Sequence, residues 1–247
     1  MTKIIGIIPA RYGSTRFPGK PLTVIQGKTM IRRVWEQAQK ATSLAEVAVA
    51  TDDERIVEEV VSFGGNVVMT AETHPTGTDR CREALELAEL ASGPYDAVIN
   101  IQGDEPFIDP AQIDLVASCF DDADTELATL IKRLSKTEDL LNPNIIKVVT
   151  SNLGEALYFS RSPIPHFRGE EVENWIEKGI YHKHIGIYGY RSDVLRKITL
   201  LQQGTLEKME SLEQLRWLQN GYRIRVRETH TESRSVDAPE DLKHFGE

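Results

Sequence analysis

Lys3-Ile4-Ile5-Gly6-Ile7-Ile8-Pro9-Ala10-Arg11-Tyr12-Gly13-Ser14-Thr15-Arg16-Phe17-Pro18-Gly19-Lys20 is the stretch from which the fold is read. Residues 3–9 form an apolar run of the kind that makes a buried strand, and the run stops at Pro9. The loop behind it carries Arg11, Arg16 and Lys20, two glycines, the hydroxyls of Ser14 and Thr15, and no acid. In an open parallel α/β sheet, ligands bind beyond the carboxyl ends of the strands. Backbone N–H groups freed by glycine, joined by cationic side chains, make such a loop a cradle for phosphate oxygens. A nucleoside triphosphate is the expected occupant. The loop is neither a Walker sequence nor a dinucleotide fingerprint, because Gly-Lys-Ser/Thr and Gly-x-Gly-x-x-Gly are both absent.

Outward from this stretch, strand and helix signals alternate. Residues 46–50, 66–69 and 96–101 are short β-rich runs. Between them Met30, Ile31, Val34, Trp35 and Ala38 share one helix face, and Ile56, Val57, Val60 and Val61 share another that ends at Gly64-Gly65. Leu85, Leu87, Ala88 and Leu90 belong to a third helix. This order predicts an α/β fold whose mostly parallel sheet has helices on both faces. In the second half, strand-like runs at 127–131, 145–149, 156–159 and 184–190 crowd together, which suits a small mixed-sheet lobe over about 130–190. A long helix from Thr205 to about Leu218, a strand over 222–226 and a C-terminal helix opening at Asp237 complete the prediction. No linker separates independent units, so 1–247 reads as one domain carrying that lobe.

With a formal net charge of −9 over 247 residues, the chain is a poor partner for nucleic acid, and anion binding has to come from local cations. No apolar run is long enough to insert in a membrane, and the start lacks a signal-peptide cleavage pattern, so a cytoplasmic location is expected. Cys81 and Cys119 alone suggest reduced thiols rather than a zinc site.

Four further groups could carry chemistry. Asn100-Ile101-Gln102-Gly103-Asp104-Glu105-Pro106 delivers acids at a strand's carboxyl end, which suits a hard cation such as Mg²⁺, while Asp109-Pro110 reads as a helix start. Asp237, with Glu240 three residues on, reads as a capping box, or as a second metal-binding acid. Thr76-Gly77-Thr78-Asp79-Arg80 opens a helix where a base or phosphate could be gripped, and Thr51-Asp52-Asp53-Glu54 is explained by a helix cap. Arg161, His184, Tyr188, Glu213 and Gln214 sit in apolar surroundings, either as satisfied core residues or together as a pocket for a hydroxylated acid, with Arg161 matched to a carboxylate.

Together these residues resemble a known family along nearly the whole chain: the 3-deoxy-D-manno-octulosonate (Kdo) cytidylyltransferases, or CMP-Kdo synthetases. The resemblance is carried by residues 8–12 and 16–22, Ala50-Thr51-Asp52, Gly77-Thr78-Asp79-Arg80, Gln102-Gly103-Asp104-Glu105-Pro106, and Asn142-Pro143-Asn144 with Lys147-Val148-Val149. It continues through residues 156–161, 184–191 and 212–216 and through Val236-Asp237 with Pro239-Glu240-Asp241-Leu242. The resemblance implies a three-layer nucleotide-diphospho-sugar transferase fold, a homodimer in which the lobe serves dimerisation and sugar binding, and the reaction of CTP with Kdo to give CMP-Kdo and pyrophosphate for lipopolysaccharide synthesis. An 8-amino Kdo analogue or another acidic sugar is the alternative acceptor. It further implies that Arg11, Ser14, Arg16, Lys20, Gly77, Thr78 and Gln102 hold the nucleotide. Arg16, Lys20 and Asp104 would act in catalysis, Asp104 and Asp237 would bind Mg²⁺, and Arg161, His184, Tyr188, Glu213 and Gln214 would hold the sugar. Ser235 and Ala238 depart from the family's usual glycine and threonine beside Asp237.

Overall fold

The computed structural model of the chain describes residues 2–13, 17–232 and 234–245. Strand β1 (Ile4–Ala10) is buried along most of its length, as a central parallel strand must be. Its side chains alternate: Ile5 and Ile7 enter one core, Ile4 and Ile8 the other. The strand runs one residue past the expected stop at Pro9. Pro9 pairs with Ala50 on one side, while pairing on the other side has ended at Ile7–Asn100. A proline, which has no N–H to give, is tolerated where one flank of the ladder has ended.

A short ribbon of β2 (Val24–Ile25) and β3 (Lys28–Thr29) leads into α1 (Met30–Ala38), which buries Met30, Ile31, Val34 and Ala38 as its apolar spacing requires. Then follow β4 (Glu46–Thr51), α2 (Glu54–Ser62), β5 (Asn66–Met69), α3 (Gly77–Ser92), β6 (Ala97–Asn100) and α4 (Pro110–Ser118). Asp53 caps α2 through the Arg55 N–H at 3.0 Å, and Asp109 caps α4 through that of Ala111 at 3.0 Å. On α2, Ile56 and Val60 face the core, but Val61 is 60% exposed, so its apolar stripe is narrower than expected.

The second half comprises β7 (Leu127–Arg133), α5 (Thr137–Leu141), β8 (Lys147–Thr150), β9 (Ala156–Ser160), α6 (Trp175–Lys178), β10 (His182–Arg191), α7 (Ser192–Ile198), α8 (Thr205–Glu210), α9 (Gln214–Gln219) and β11 (Ile224–Glu228). The sheet has nine strands in the order β11-β7-β10-β6-β1-β4-β5, with β8 and β9 branching from β10. β1, β4, β5 and β6 are mutually parallel, whereas β10 runs antiparallel to β6, β7 and β8. One core lies under α3, α7 and α9 and the other under α1, α2 and α4, giving three layers. A satellite cluster of Leu134, Leu140, Trp175 and Tyr181 packs within the mixed-sheet part.

Two expectations fail here. The predicted helix from Thr205 to Leu218 is broken: α8 ends at Glu210, Ser211 turns left-handed at φ 52°, and α9 starts three residues later. The break lets Arg216 fold back on Glu207, closing a buried ion pair with contacts of 2.6 and 2.8 Å. The C-terminal helix is a 3₁₀ segment, Pro239–Phe245. Among the described residues, no helix is long and apolar enough to cross a membrane. Cys81 and Cys119 are buried free thiols.

Candidate active site

The first loop is shaped by Tyr12. Its carbonyl accepts the Gly19 N–H at 2.9 Å, and the Arg55 guanidinium lies 3.2 Å from the centre of its ring. Gly19 has φ +71°, and a Cβ there would also press on the Tyr12 ring at 3.2 Å, so glycine suits both backbone and space. Gly19 precedes the 3₁₀ turn Lys20–Leu22, which aims Lys20 back across the sheet end. Ser14 and Arg16, both expected nucleotide contacts, lie outside the described residues.

Lys20 Nζ is 2.9 Å from Asp104 Oδ2 and donates to the Val236 carbonyl at 2.9 Å. The Val236 N–H in turn donates to the Asp104 carbonyl at 2.9 Å. One ammonium thus ties together the loops after β1 and β6 and the C-terminal segment. Gly103, beside Asp104, crosses so close over β1 that a Cβ would sit 2.6 Å from the Pro9 carbonyl oxygen. Only glycine allows that crossing without a backbone shift.

Arg11, Gly13, Lys20, Gly77, Gln102, Gly103 and Asp104 line one cleft of about 650 Å³. Gly77 reaches it as the first residue of α3, behind the N-cap Thr76. A second cavity of about 400 Å³ is lined by Asn144, Lys183, His184, Glu232, Ser235 and Asp237, and shares Gln102 and Asp104 with the first. Gln102 sits at the junction because its Nε2 donates to the Gly186 carbonyl at 2.9 Å. That carbonyl is available because the β7–β10 register slips between Ile185 and Tyr188, an irregularity of the kind that re-aims groups beside binding sites.

Asp237 is exposed, and its carboxylate accepts the Ser235 hydroxyl at 3.3 Å. The capping box is not formed as read. Asp241 instead accepts the backbone N–H groups of Asp237 and Ala238 at 2.8 and 2.9 Å, which leaves the Asp237 carboxylate to the cavity. No group of three metal-binding side chains occurs among the described residues. Two aspartates on one cavity still fit Mg²⁺, which keeps several waters and takes one or two carboxylates plus substrate phosphates.

The expected sugar residues divide. His184 lines the second cavity. Thr129 Oγ1 lies 2.7 Å from the Ile187 carbonyl, to which it donates, and 2.9 Å from His184 Nε2. Nε2 is then the donor of that pair, and Nδ1 is left as an acceptor. Desolvation lowers the imidazole to about 3, so the ring is neutral. Tyr188 packs edge-on to Trp217 at 5.2 Å, and neither its hydroxyl nor that of Tyr190 has a well-formed hydrogen bond among the described residues. Burial raises both phenols well above their ordinary value. Gln214 is buried in the first turn of α9.

Glu213 accepts hydrogen bonds from Thr78 at 2.8 Å and lies 3.2 Å from the Thr76 hydroxyl. Burial raises its carboxyl above the usual range, against the opposing pull of the Thr78 hydrogen bond. Arg161 donates to the carbonyls of Glu210 (2.6 Å), Pro143 (3.0 Å) and Ser211 (3.4 Å), so it braces the α8–α9 break instead of lining either cavity.

Lys147 was not singled out for any role by its sequence. It is fully buried, and its ammonium donates to the carbonyls of Asn142 (2.9 Å), Ile145 (2.6 Å) and Arg161. Three donors meet three acceptors, and desolvation lowers its pKa. The signal was a lone lysine at the head of an apolar strand. Lys183 and Glu232, ion-paired in the second cavity, were also passed over. They lie on opposite sides of a contact 49 residues apart, which no local pattern reveals.

The profile of the family described as cytidylyltransferase matches residues 5–225. A protein of Parabacteroides distasonis named 3-deoxy-manno-octulosonate cytidylyltransferase is 53% identical over 247 residues, covering 98% of this chain and 96% of that one. One of the same name from Bacteroides thetaiotaomicron is 52% identical over 248 residues, covering 99% and 97%. A solved CMP:2-keto-3-deoxy-manno-octonic acid synthetase in complex with CTP superposes with a TM-score of 0.90 at 43% identity, covering 98% of this chain and 96% of that one. At 10% identity and TM-score 0.62, a 4-diphosphocytidyl-2C-methyl-D-erythritol synthase from Anaerococcus prevotii shares the fold.

Proposed function

We propose, for a chain that belongs to the 3-deoxy-manno-octulosonate cytidylyltransferase family, that it transfers CMP from CTP to the anomeric hydroxyl of Kdo, releasing pyrophosphate. One observation carries the reading at the level of residues: the cleft holding Arg11 and Lys20 and the cavity holding His184 and Asp237 meet at Gln102 and Asp104. A triphosphate in the first and an acidic sugar in the second would bring acceptor oxygen and α-phosphorus together at that junction.

In the reaction, the 2-hydroxyl oxygen of Kdo forms a bond to the α-phosphorus while the bond from that phosphorus to the pyrophosphate oxygen breaks, in line, and the hydroxyl proton passes to solvent. Such a transfer asks the protein chiefly for positioning and charge neutralisation. Lys20 and Arg11, with Arg16, neutralise the leaving pyrophosphate. Gly77, Thr78 and Gln102 hold the cytidine, and Ser14 adds a hydroxyl to the phosphate loop. Asp104 and Asp237 would hold Mg²⁺, whose chemistry there is to neutralise phosphate charge and ease loss of the hydroxyl proton. Lys20 occupies Asp104 without substrate and turns to phosphate with it. His184 Nδ1 accepts from a sugar hydroxyl; Tyr188, Glu213, Gln214 and Arg161, which line neither cavity, support the sugar side from behind it.

The lobe of about 130–190 serves sugar binding and pairing of two copies. Leu153, Leu157 and Ile180 in it are 74%, 61% and 62% exposed and offer apolar side chains to such a pairing. Cytoplasmic residence follows from the need for CTP.

The test is a pyrophosphate-release assay with each of the four nucleoside triphosphates against Kdo, 8-amino Kdo and sialic acid. Release restricted to CTP with Kdo supports the reading; preference for 8-amino Kdo reassigns the acceptor, and no release with any pair refutes it. Sedimentation velocity reads the dimer.

A further inference from the structure

The α8–α9 break does more than bend the chain. Ser211 in its left-handed turn presents Glu213 to the start of α3, where Thr76 is the N-cap and Gly77 lines the nucleotide cleft. We propose that Glu213, as a neutral carboxylic acid, is a positioning residue for that cleft, clasping the first turn of α3 to the α8–α9 elbow. This rests on the nucleotide reading of the cleft given above.

A proton count makes the case. Thr76 Oγ1 lies 2.7 Å from Asp79 Oδ2 and 3.2 Å from Glu213 Oε1, and it accepts the Asp79 N–H at 3.2 Å. A hydroxyl has one hydrogen to give. Two ionised carboxylates on Thr76 would leave one oxygen facing another with no proton between them. Asp79 takes the shorter contact and sits in the first turn of a sixteen-residue helix, where the dipole favours a negative charge. The missing proton then belongs to Glu213: Oε1–H donates to Thr76, and Oε2 accepts from Thr78 at 2.8 Å. Each oxygen–oxygen contact of Thr76, Thr78, Asp79 and Glu213 then has one hydrogen in it.

The groups facing Glu213 agree. From α9, Arg216 NH2 is 3.6 Å away, but its shorter contacts go to Glu207 at 2.6 and 2.8 Å and to the Leu201 carbonyl at 3.2 Å. From α3 come Asp79 and Cys81, and from β10 the phenols of Tyr188 and Tyr190, none of them a cation. Across the elbow, Glu210 accepts from Ser160 and from the Arg161 N–H, and the Arg161 guanidinium is spent on backbone carbonyls. Burial pushes the same way as the proton count.

Carboxyl ¹³C NMR of glutamate-labelled protein, with the Glu213 signal assigned by its loss in Glu213→Gln, reads the proton directly. Glu213 is expected to titrate above the exposed glutamates, which cluster near about 4.3. Calorimetric titration of CTP, without sugar, reads the clasp. Wild type should bind progressively more weakly than Glu213→Gln once pH passes the Glu213 midpoint, and match it below. Glu213→Ala should bind roughly tenfold more weakly than Glu213→Gln at every pH, as loss of two hydrogen bonds implies. If the alanine variant fails to fold, Glu213→Asp, too short to reach both threonines, replaces it with the same expectation. Titration with the exposed glutamates, or a glutamine variant as weak as the alanine one, overturns the proposal. Wild type that binds no CTP at all refutes the nucleotide reading instead, and leaves the NMR result to decide the clasp.

Discussion

The cavities that meet at Asp104 are walled in opposite ways. The cleft lined by Arg11 and Lys20 is made where parallel strands β1 and β6 end, with the first turn of α3 beside them. Parallel strands put their carboxyl ends at one edge, so the loops after them converge without further help. The second cavity is made largely from Asn144, Ile145 and Ile146 just ahead of β8, residues 183–186 of the antiparallel strand β10, and Glu232, Ser235 and Asp237 of the C-terminal segment. Nothing in that topology makes these segments converge. They are brought in by single side chains reaching far along the chain: Lys147 to the Asn142 and Ile145 carbonyls and to Arg161, Lys183 to Glu232, Lys20 to Val236. The lesson is that the first wall should survive loss of any one contact, whereas the second depends on a few long-range polar ties.

The sharpest way to break this comparison is Glu207→Ala. It leaves the Arg216 guanidinium, 7% exposed, without its carboxylate. Removing one partner of a buried pair costs about 3–5 kcal/mol. Thermal or urea unfolding should show that loss; a change under about 1 kcal/mol would place the elbow's stability elsewhere. Next, Asp104→Asn should reduce pyrophosphate release on the order of a hundredfold or more, with the melting temperature nearly unchanged, since Asp104 is part-exposed. Near wild-type turnover in Mg²⁺ would remove it from catalysis.

Lys20→Ala should raise the KM for CTP about tenfold, the worth of a hydrogen bond between charged groups. It should also loosen the tail beyond Thr231, which limited proteolysis would detect; an unchanged KM would deny the triphosphate role. Gly103→Ala forces a carbon within 2.6 Å of a backbone oxygen. A cost of about 1–3 kcal/mol is expected from overpacking, seen in the melting temperature together with a weaker CTP affinity. The effect that is smallest at neutral pH concerns His184. Its folded-state pKa, lowered to about 3, lies below the ordinary imidazole value of 6.5. The folded protein therefore binds fewer protons than the unfolded chain between those values. The contribution of His184 is fully present above about pH 6.5 and is lost as pH falls towards about 3. His184→Gln should flatten that part of the stability–pH curve, and an unchanged curve would mean the ring is not desolvated.

How much of this was legible follows the same division. The strand before Pro9, the glycine at 103, the acid at 104 and the caps at Asp53 and Asp109 were readable because each is a local pattern with a local cause. The capping box gives the Asp237 N–H to Glu240, whereas Asp241, one residue on, accepts it and the Ala238 N–H as well; acids at both positions are close enough in sequence for either to serve. The helix over 205–218 was drawn through Ser211 because helix propensity is summed over a window, whereas the break is decided by the ion pair of Glu207 with Arg216. Arg161, read as a carboxylate binder, shows how residue type misleads: its charge is visible in the sequence, but the carbonyls of Pro143, Glu210 and Ser211 that claim it are not.

By itself the sequence determined the alternation of strands and helices, the glycine- and cation-bearing loop after β1 and the family, because hydrophobic period, glycine and proline act over a few residues. Only the tertiary structure decided which carboxylates face a common cavity, which cations are already engaged, and that Glu213 touches the start of α3. Those depend on groups up to 216 residues apart, as in the bond from Lys20 to Val236, and such distances close only when the sheet is assembled.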